Sequence, residues 1–258
     1  MLKIKTLIIN GDDFGLTKSC TLAIAEAFKQ GKITSTTMCA NGAYFKDAVK
    51  LAEENSLQNR IGIHINLTEG KPLTEPISHD SFFCCADGFF HGQIDRRKKL
   101  AKEQNLNVFR EVAAQIDKLI SNGIEITHVD SHHHIHTAPN LTDIILQVMK
   151  EYNLQKLRIS RNIGDIQIHK KLLKDLFNLR LKLKGYKSIE LFGSLNDIKH
   201  EINEDKSLEL MVHPDFNCNN ELIDRVNYDD MHRPTGCLLK FDSSFLNKYR
   251  LCSYHEVV

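Results

Sequence analysis

Segments of strand length alternate with segments of helical period along nearly the whole chain, and this alternation limits the fold more than any other feature. Residues 2–10 read as an apolar strand. Thr17 and Ser19 offer caps for a helix that runs to Gln30 and stops at Gly31. A Thr-rich strand at 33–40 precedes a helix at 44–54. The stretch 61–68 alternates: Ile61, Ile63, Ile65 and Leu67 on one face, Gly62, His64, Asn66 and Thr68 on the other. A helix at 107–121, closed by Asn122-Gly123, leads to a strand at 124–130. A helix at 141–152, a short strand at 157–160 and a long basic helix at 168–184 come next. Strands at 189–192 and 208–213 flank a helix near 196–203, and a loop-rich C-terminal stretch ends with a helix near 245–250. About seven βα units in a single domain of 258 residues imply parallel strands joined by helical crossovers.

The polar residues narrow this α/β class further. Asp12 and Asp13 follow the first strand, and His64 and Asn66 lie late in the third. Asp130 and His132 end the fourth, Arg161 follows the fifth, and His213 ends the seventh. An open doubly wound sheet would gather only some of these at its switch point. A (β/α) barrel of about seven parallel strands turns all of them toward one mouth. The irregular stretch 69–105 has the length of a lid or binding loop.

The mouth carries several chemical signals. Five of the 13 histidines fall within residues 128–136, where Asp130 adds a carboxylate, and imidazole with carboxylate is a common metal-ligand set. His132, His134 and His136 share a strand parity that His133 opposes, so only one or two of the run can reach a metal. The others, with His128 and Asp130, would orient ligands or line the pocket. In Asn10-Gly11-Asp12-Asp13-Phe14-Gly15 adjacent carboxylates point apart, which suits one to a metal and one to a proton. A lone Asp there would more often cap the next helix. His213-Pro214 has even odds of being an incidental strand end, and strand-end arginines such as Arg161 commonly just pair with a carboxylate. The helix at 168–184 reads as a basic solvated face with Leu172, Leu173, Leu176, Phe177 and Leu179 toward the core.

Composition excludes several classes. A formal charge of +1 gives no footing for nucleic acid or an anionic membrane, and no aromatic residues interleave the basic helix. No apolar run reaches the ~18 residues of a membrane span, and the N-terminus does not read as a signal peptide. The seven scattered cysteines include no CxxC pair and read as reduced thiols of a cytoplasmic protein. Without tryptophan, any sugar-stacking face falls to residues such as Phe82, Phe83, Phe89 and Phe90.

Five blocks together resemble the YdjC-like carbohydrate deacetylases, a group that includes chitooligosaccharide deacetylases. They are Asn10 to Thr17, Ile33 to Thr37, Gly62 to Leu73, Thr127 to His136 and Met211 to Pro214, in family order. The resemblance implies a deacetylase-type barrel, a divalent metal (often magnesium), a homodimer and removal of acetyl groups from N-acetylated sugars. It puts the metal on Asp13, His64 and His132, the base on Asp12 and the acid on His213. Asn66, His128, Asp130, His134 and Arg161 would then support the site or contact substrate. The two imidazoles by themselves favour zinc, since magnesium prefers oxygen. The family more often has Ala where this chain has Gly11, and the stretch 82–95 departs from its pattern. Two rivals are a metal-dependent hydrolase or isomerase of phosphorylated sugars and a non-enzymatic sugar sensor. The first usually carries a late Gly-rich phosphate loop, whereas Gly164 and Gly193 stand alone; the second needs no Asp12 beside Asp13.

Overall fold

A computed structural model describes residues 5–199, 205–226, 237–241 and 243–257. The chain runs β1 (Thr6–Phe14), α1 (Lys18–Lys29), β2 (Ser35–Met38), α2 (Phe45–Glu54), β3 (Ile61–Ile65), α3 (Glu75–Ser78), α4 (Lys102–Ser121) and β4 (Val129–Ser131). It continues through α5 (Thr142–Glu151), α6 (Ile168–Leu183), β5 (Leu191–Ser194), β6 (Leu208–Val212), β7 (Pro214–Phe216), β8 (Leu222–Asp224), β9 (Cys237–Leu238), α7 (Ser243–Leu246) and β10 (Arg250–Leu251).

The main sheet has the order β4-β3-β2-β1-β6-β5, with β10 added to the start of β1, and every pair in it is parallel. Its central strands are buried on both faces, as crossover helices require, so β3 is apolar at Ile61, Ile63 and Ile65 yet also buries His64. The arrangement is a barrel-like α/β fold. Its outer strands β4 and β5 are joined by the segment 155–162. There Leu157 N–H donates to Lys187 O (3.0 Å), Arg158 N–H to Val129 O (3.0 Å) and Asn162 N–H to Phe192 O (3.1 Å).

Four sequence expectations change. The strand expected at 157–160 makes only isolated bridges, Val129 to Leu157 and Lys156 to Lys187. β1 extends to Phe14, so Asp12 and Asp13 lie on the strand rather than after it, where its register with β2 shifts between Gly11 and Phe14. The last helix is only Ser243–Leu246, and Arg250 instead joins β10, because its N–H reaches Lys5 O on the edge of β1. The helix near 196–203 is a 3-10 turn at Leu195–Lys199, and its remainder lies outside the described residues.

The largest departure is α6. Of its residues only Leu181 is buried. Leu172, Leu173, Leu176 and Leu179, expected to face the core, are 62%, 68%, 54% and 51% exposed, and only Phe177 packs against the core. Among the described residues no helix is long and apolar enough to cross a membrane.

Candidate active site

The bulge at the end of β1 sets the geometry. Asp13 has φ 74°, a left-handed conformation that non-glycine residues rarely adopt. The turn sends adjacent carboxylates into different environments, and both are 1% exposed. Asp12 is clamped by Arg158, whose Nη1 donates to Oδ2 (2.7 Å) and Nη2 to Oδ1 (2.8 Å). Asn10 Nδ2 adds a third bond to Asp12 Oδ1, at 2.8 Å. Burial would raise the Asp12 carboxyl, but the Arg158 charge and its hydrogen bonds outweigh that and hold it far below the usual carboxylate range.

Asp13 faces the imidazoles. Its Oδ1 lies 3.2 Å from His64 Nε2 and 2.8 Å from His132 Nδ1. Burial again pushes upward and the two histidines prevail, keeping Asp13 well below its ordinary value. His64 Nδ1 is 2.6 Å from Asp130 Oδ1, and Thr37 Oγ1 donates to Asp130 Oδ2 at 3.1 Å. Desolvation lowers the affinity of His64 for its proton, but Asp130 and Asp13 overcome it and push its pKa up to about 10. His132 Nε2 also meets Glu69 Oε2 at 2.9 Å, and against desolvation these two carboxylates raise its pKa as well. Arg225 Nη2 approaches the other Asp13 oxygen at 3.1 Å.

These donors form a buried acidic and histidine cluster able to hold a divalent metal. Asp13, Cys39 and His64 place one ligand atom each within 4.8 Å of one another, as do Asp12, His64 and Asp130. Cys39 is a weak member, because burial drives its thiol well above its ordinary pKa and favours the neutral form. Asp13, His64 and His132, the three expected ligands, also come together. Both imidazole nitrogens converge on one carboxylate oxygen, and Asp130 fixes the far side of His64, as carboxylates do behind metal-bound histidines. The Nδ1 of His132 and the Nε2 of His64 are the nitrogens that face Asp13 Oδ1.

The histidine run does not keep the parity of a strand. His132–Thr137 is a 3-10 turn, with His133 and His134 left-handed at φ 52° and 53°. His132 alone enters the cluster. His133 bonds Thr68 Oγ1 at 3.1 Å at the surface. His134 is partly buried, edge-on to Phe192, and burial lowers its pKa to about 3. His136 lies behind, with Nδ1 2.6 Å from Ser131 Oγ. His128 stacks on Tyr254 at 3.6 Å, away from Asp13; a Cβ at Gly62 would come within 2.5 Å of its ring, which accounts for that glycine.

The other expected residues divide. Asn66 Oδ1 accepts from the N–H groups of Thr68 (3.0 Å) and Glu69 (2.9 Å), shaping the turn that presents Glu69. His213 sits on Asp224, its N–H donating at 3.0 Å and its ring Nδ1 3.8 Å from the same oxygen. Its Coulombic effect on Asp12 is the smallest of those that hold that carboxyl down. Arg161 stands apart, pairing with Asp197 (3.4 Å) and the Asp165 carbonyl (2.9 Å). The arginine that joins the cluster is Arg158, 0% exposed, which the sequence reading passed over. Its signal was available: a charge between Leu157 and Ile159 in a short apolar stretch. Glu69 and Arg225 were also missed, being ordinary surface types until the turns bring them inward.

A fold of this kind with paired aspartates and a histidine-bearing centre defines a barrel-like α/β protein with a buried acidic and histidine cluster that could hold a divalent metal. The chain belongs to the YdjC-like protein family, whose model matches residues 6–245. It is 33% identical to a carbohydrate deacetylase of Clostridium beijerinckii over 216 residues, 81% of each chain. It is 31% identical to a carbohydrate deacetylase of Thermoanaerobacter pseudethanolicus over 87% of this chain and 86% of that one. A crystal structure from Enterococcus faecalis, described as a proposed cellobiose-phosphate cleavage protein, superposes with a TM-score of 0.63 at 26% identity over 84% of both chains.

Proposed function

We propose that the chain is a single-domain, metal-dependent carbohydrate deacetylase that hydrolyses the acetamide of N-acetylated sugars such as chitooligosaccharides. The observation that carries this reading is the division of labour at the β1 bulge, where Asp13 faces two imidazoles and Asp12 a guanidinium. A divalent cation held by Asp13, His64 and His132 would polarise the acetyl carbonyl and make water more acidic. Asp12, ionised and oriented by Arg158, takes the proton from the attacking water. His213, oriented by Asp224, donates to the departing amine, a step worth on the order of 10²–10⁴ in rate. The donor set favours zinc or another late transition metal, while the family resemblance favours magnesium. Acetate release from N-acetylglucosamine oligomers, with chelator and then with each metal restored, tests the reading. Release that ignores both treatments overturns metal dependence, and no release under any condition overturns the deacetylase itself.

A phosphorylated acetyl sugar is a second reading of the substrate. Arg96 lines a cleft of about 470 Å³ with Thr68 and His133 beside the site, and its guanidinium bonds the His133 carbonyl. Phosphorylated and plain oligomers compared at equal concentration separate the two.

The same reading places the protein in the cytoplasm, where its six described free cysteines stay reduced, and makes it a homodimer. The α6 face supports the dimer. Ile168, Leu172, Leu173, Leu176, Leu179 and Leu183 are 51–86% exposed and form one apolar stripe of the kind that marks an interaction surface. Lysines 170, 171, 174 and 182 flank the stripe. Beside it lies a cleft of about 870 Å³ between α4 and α5, apolar at Leu106, Phe109 and Ile144 and acidic at Glu103, Asp143 and Glu151. A second copy, turned by a two-fold axis, satisfies both surfaces, whereas an anionic membrane would be repelled by the acidic rim. Sedimentation equilibrium of wild type and of Leu172→Glu/Leu179→Glu tests it: a dimer that becomes a folded monomer is expected, and a monomeric wild type overturns it.

A further inference from the structure

The C-terminal segment reaches the reacting end of the molecule from below. β10 pairs with the first residues of β1, Thr6 with Arg250 and Leu7 with Leu251, so this segment lies at the end of the sheet opposite the site. A 3-10 turn at Tyr254–Glu256 follows, held by its Ser253 cap and by Lys156 Nζ, which donates to the Tyr254 carbonyl at 2.7 Å. Tyr254 is 0% exposed and lies flat on His128, with an interplanar angle of 8°. Its hydroxyl donates to Glu209 Oε2, near the start of β6. The other oxygen, Glu209 Oε1, accepts from Arg158 Nε at 2.7 Å. Arg158 then spends its two remaining nitrogens on Asp12, and Nη1 also meets Asp130 Oδ2 at 2.5 Å.

We propose that Tyr254 and Glu209 are positioning residues for the reaction: the C-terminal segment fixes Glu209, Glu209 fixes the edge of the Arg158 guanidinium, and Arg158 aims Asp12. The inference rests on the deacetylase reading for its rate measurement, but not for its structural one. A guanidinium is planar, so anchoring Nε sets the direction in which both Nη groups point. Besides the single Asn10 bond to Oδ1, Asp12 is held by the two-point Arg158 clamp, its one cation within hydrogen-bond reach among the described residues, so Arg158 sets the plane of its carboxylate. The alternative, that Tyr254 merely fills space against His128, predicts that its hydroxyl is dispensable.

Tyr254→Phe separates the two, since it keeps the ring and its stacking and removes only the hydroxyl. The kcat for acetate release is expected to fall about tenfold, with KM and metal affinity unchanged, as when one hydrogen bond is lost from the transition state alone. Glu209→Gln, which keeps an oxygen for either partner, is expected to retain more activity than Glu209→Leu. Tyr254→Phe combined with Glu209→Gln is expected to cost less than the product of the two, because both act along one chain of contacts. Wild-type kcat in Tyr254→Phe, or losses that multiply, overturns the proposal and leaves the deacetylase reading standing. Should the wild type release no acetate with any metal, the deacetylase reading fails instead. A crystal structure of Tyr254→Phe then decides the positioning: the Arg158 fork is expected to leave its two-point contact with Asp12, and an unmoved fork overturns the inference.

Discussion

The centre of the sheet and helix α6 invert each other. The centre buries Asp12, Asp13, His64, Asp130, Arg158 and Glu209 where apolar residues normally lie, while α6 turns six aliphatic side chains to solvent. Both arrangements are costly for an isolated domain. The centre offsets its cost internally, because every carboxylate there faces a guanidinium or an imidazole. Glu209 has the weakest compensation: burial outweighs Arg158 and Tyr254 and lifts its pKa to about 6. The helix has no such partner within its own described residues. A buried charge cluster is thus complete in one chain, and the exposed apolar stripe is what the proposed homodimer would cover.

The sharpest way to break the contrast is at Asp12, the proposed base. Asp12→Asn keeps the shape and removes the charge, and turnover is expected to fall by about 10²–10⁴ with metal binding retained, as read by acetate release and calorimetry. Wild-type turnover would remove Asp12 from its role. Next in size is Arg158→Met, which leaves three buried carboxylates without their shared cation. A loss of about 3–5 kcal/mol in urea unfolding is expected.

Proton uptake gives a third test. In the metal-free protein His64, with its pKa near 10, holds a proton at pH 8 that a metal bound to it must displace. Calorimetry in buffers of different ionisation enthalpy should show at least one proton released per metal at pH 8. None released would mean that His64 is not a ligand.

Acid stability follows from the opposite shift at His128 and His136, both buried and depressed by desolvation. Their unfolded forms take up protons first, so the stability they give is full above pH 6.5 and is lost as pH falls below it. The slope is up to about 1.4 kcal/mol per pH unit for each. Flat stability from pH 7 to 5 would count against buried neutral rings. His64 has the reverse sign: its contribution is full below pH 6.5 and lost as pH rises through about 10. The smallest effect belongs to α6, where Leu172→Glu/Leu179→Glu is expected to change monomer stability by only about 0.5 kcal/mol while abolishing association, because exposed sites contribute little to folding.

Much of the fold was legible because strand and helix leave different periods, and β3 or α4 could be read from them directly. The site was legible where a polar residue interrupts a buried strand, as His64 does between Ile63 and Ile65. It was illegible where backbone departs from regular geometry. Parity along the histidine run assumed an extended chain, and the left-handed His133 and His134 send alternate rings elsewhere. Arg158 was overlooked in favour of Arg161, since only the edge-joining segment shows which arginine points inward. The leucines of α6 showed that one face is apolar; amphipathicity does not say what covers it.

One guanidinium serving Asp12, Asp130 and Glu209 also makes those positions inseparable in descent. A lineage that loses Arg158 strands three buried negative charges at once, and a lineage that neutralises one acid alters the pull on the other two. Residues 12, 130, 158 and 209 should therefore be inherited as a block, with Tyr254 drifting only in chains that have also replaced the acid at 209.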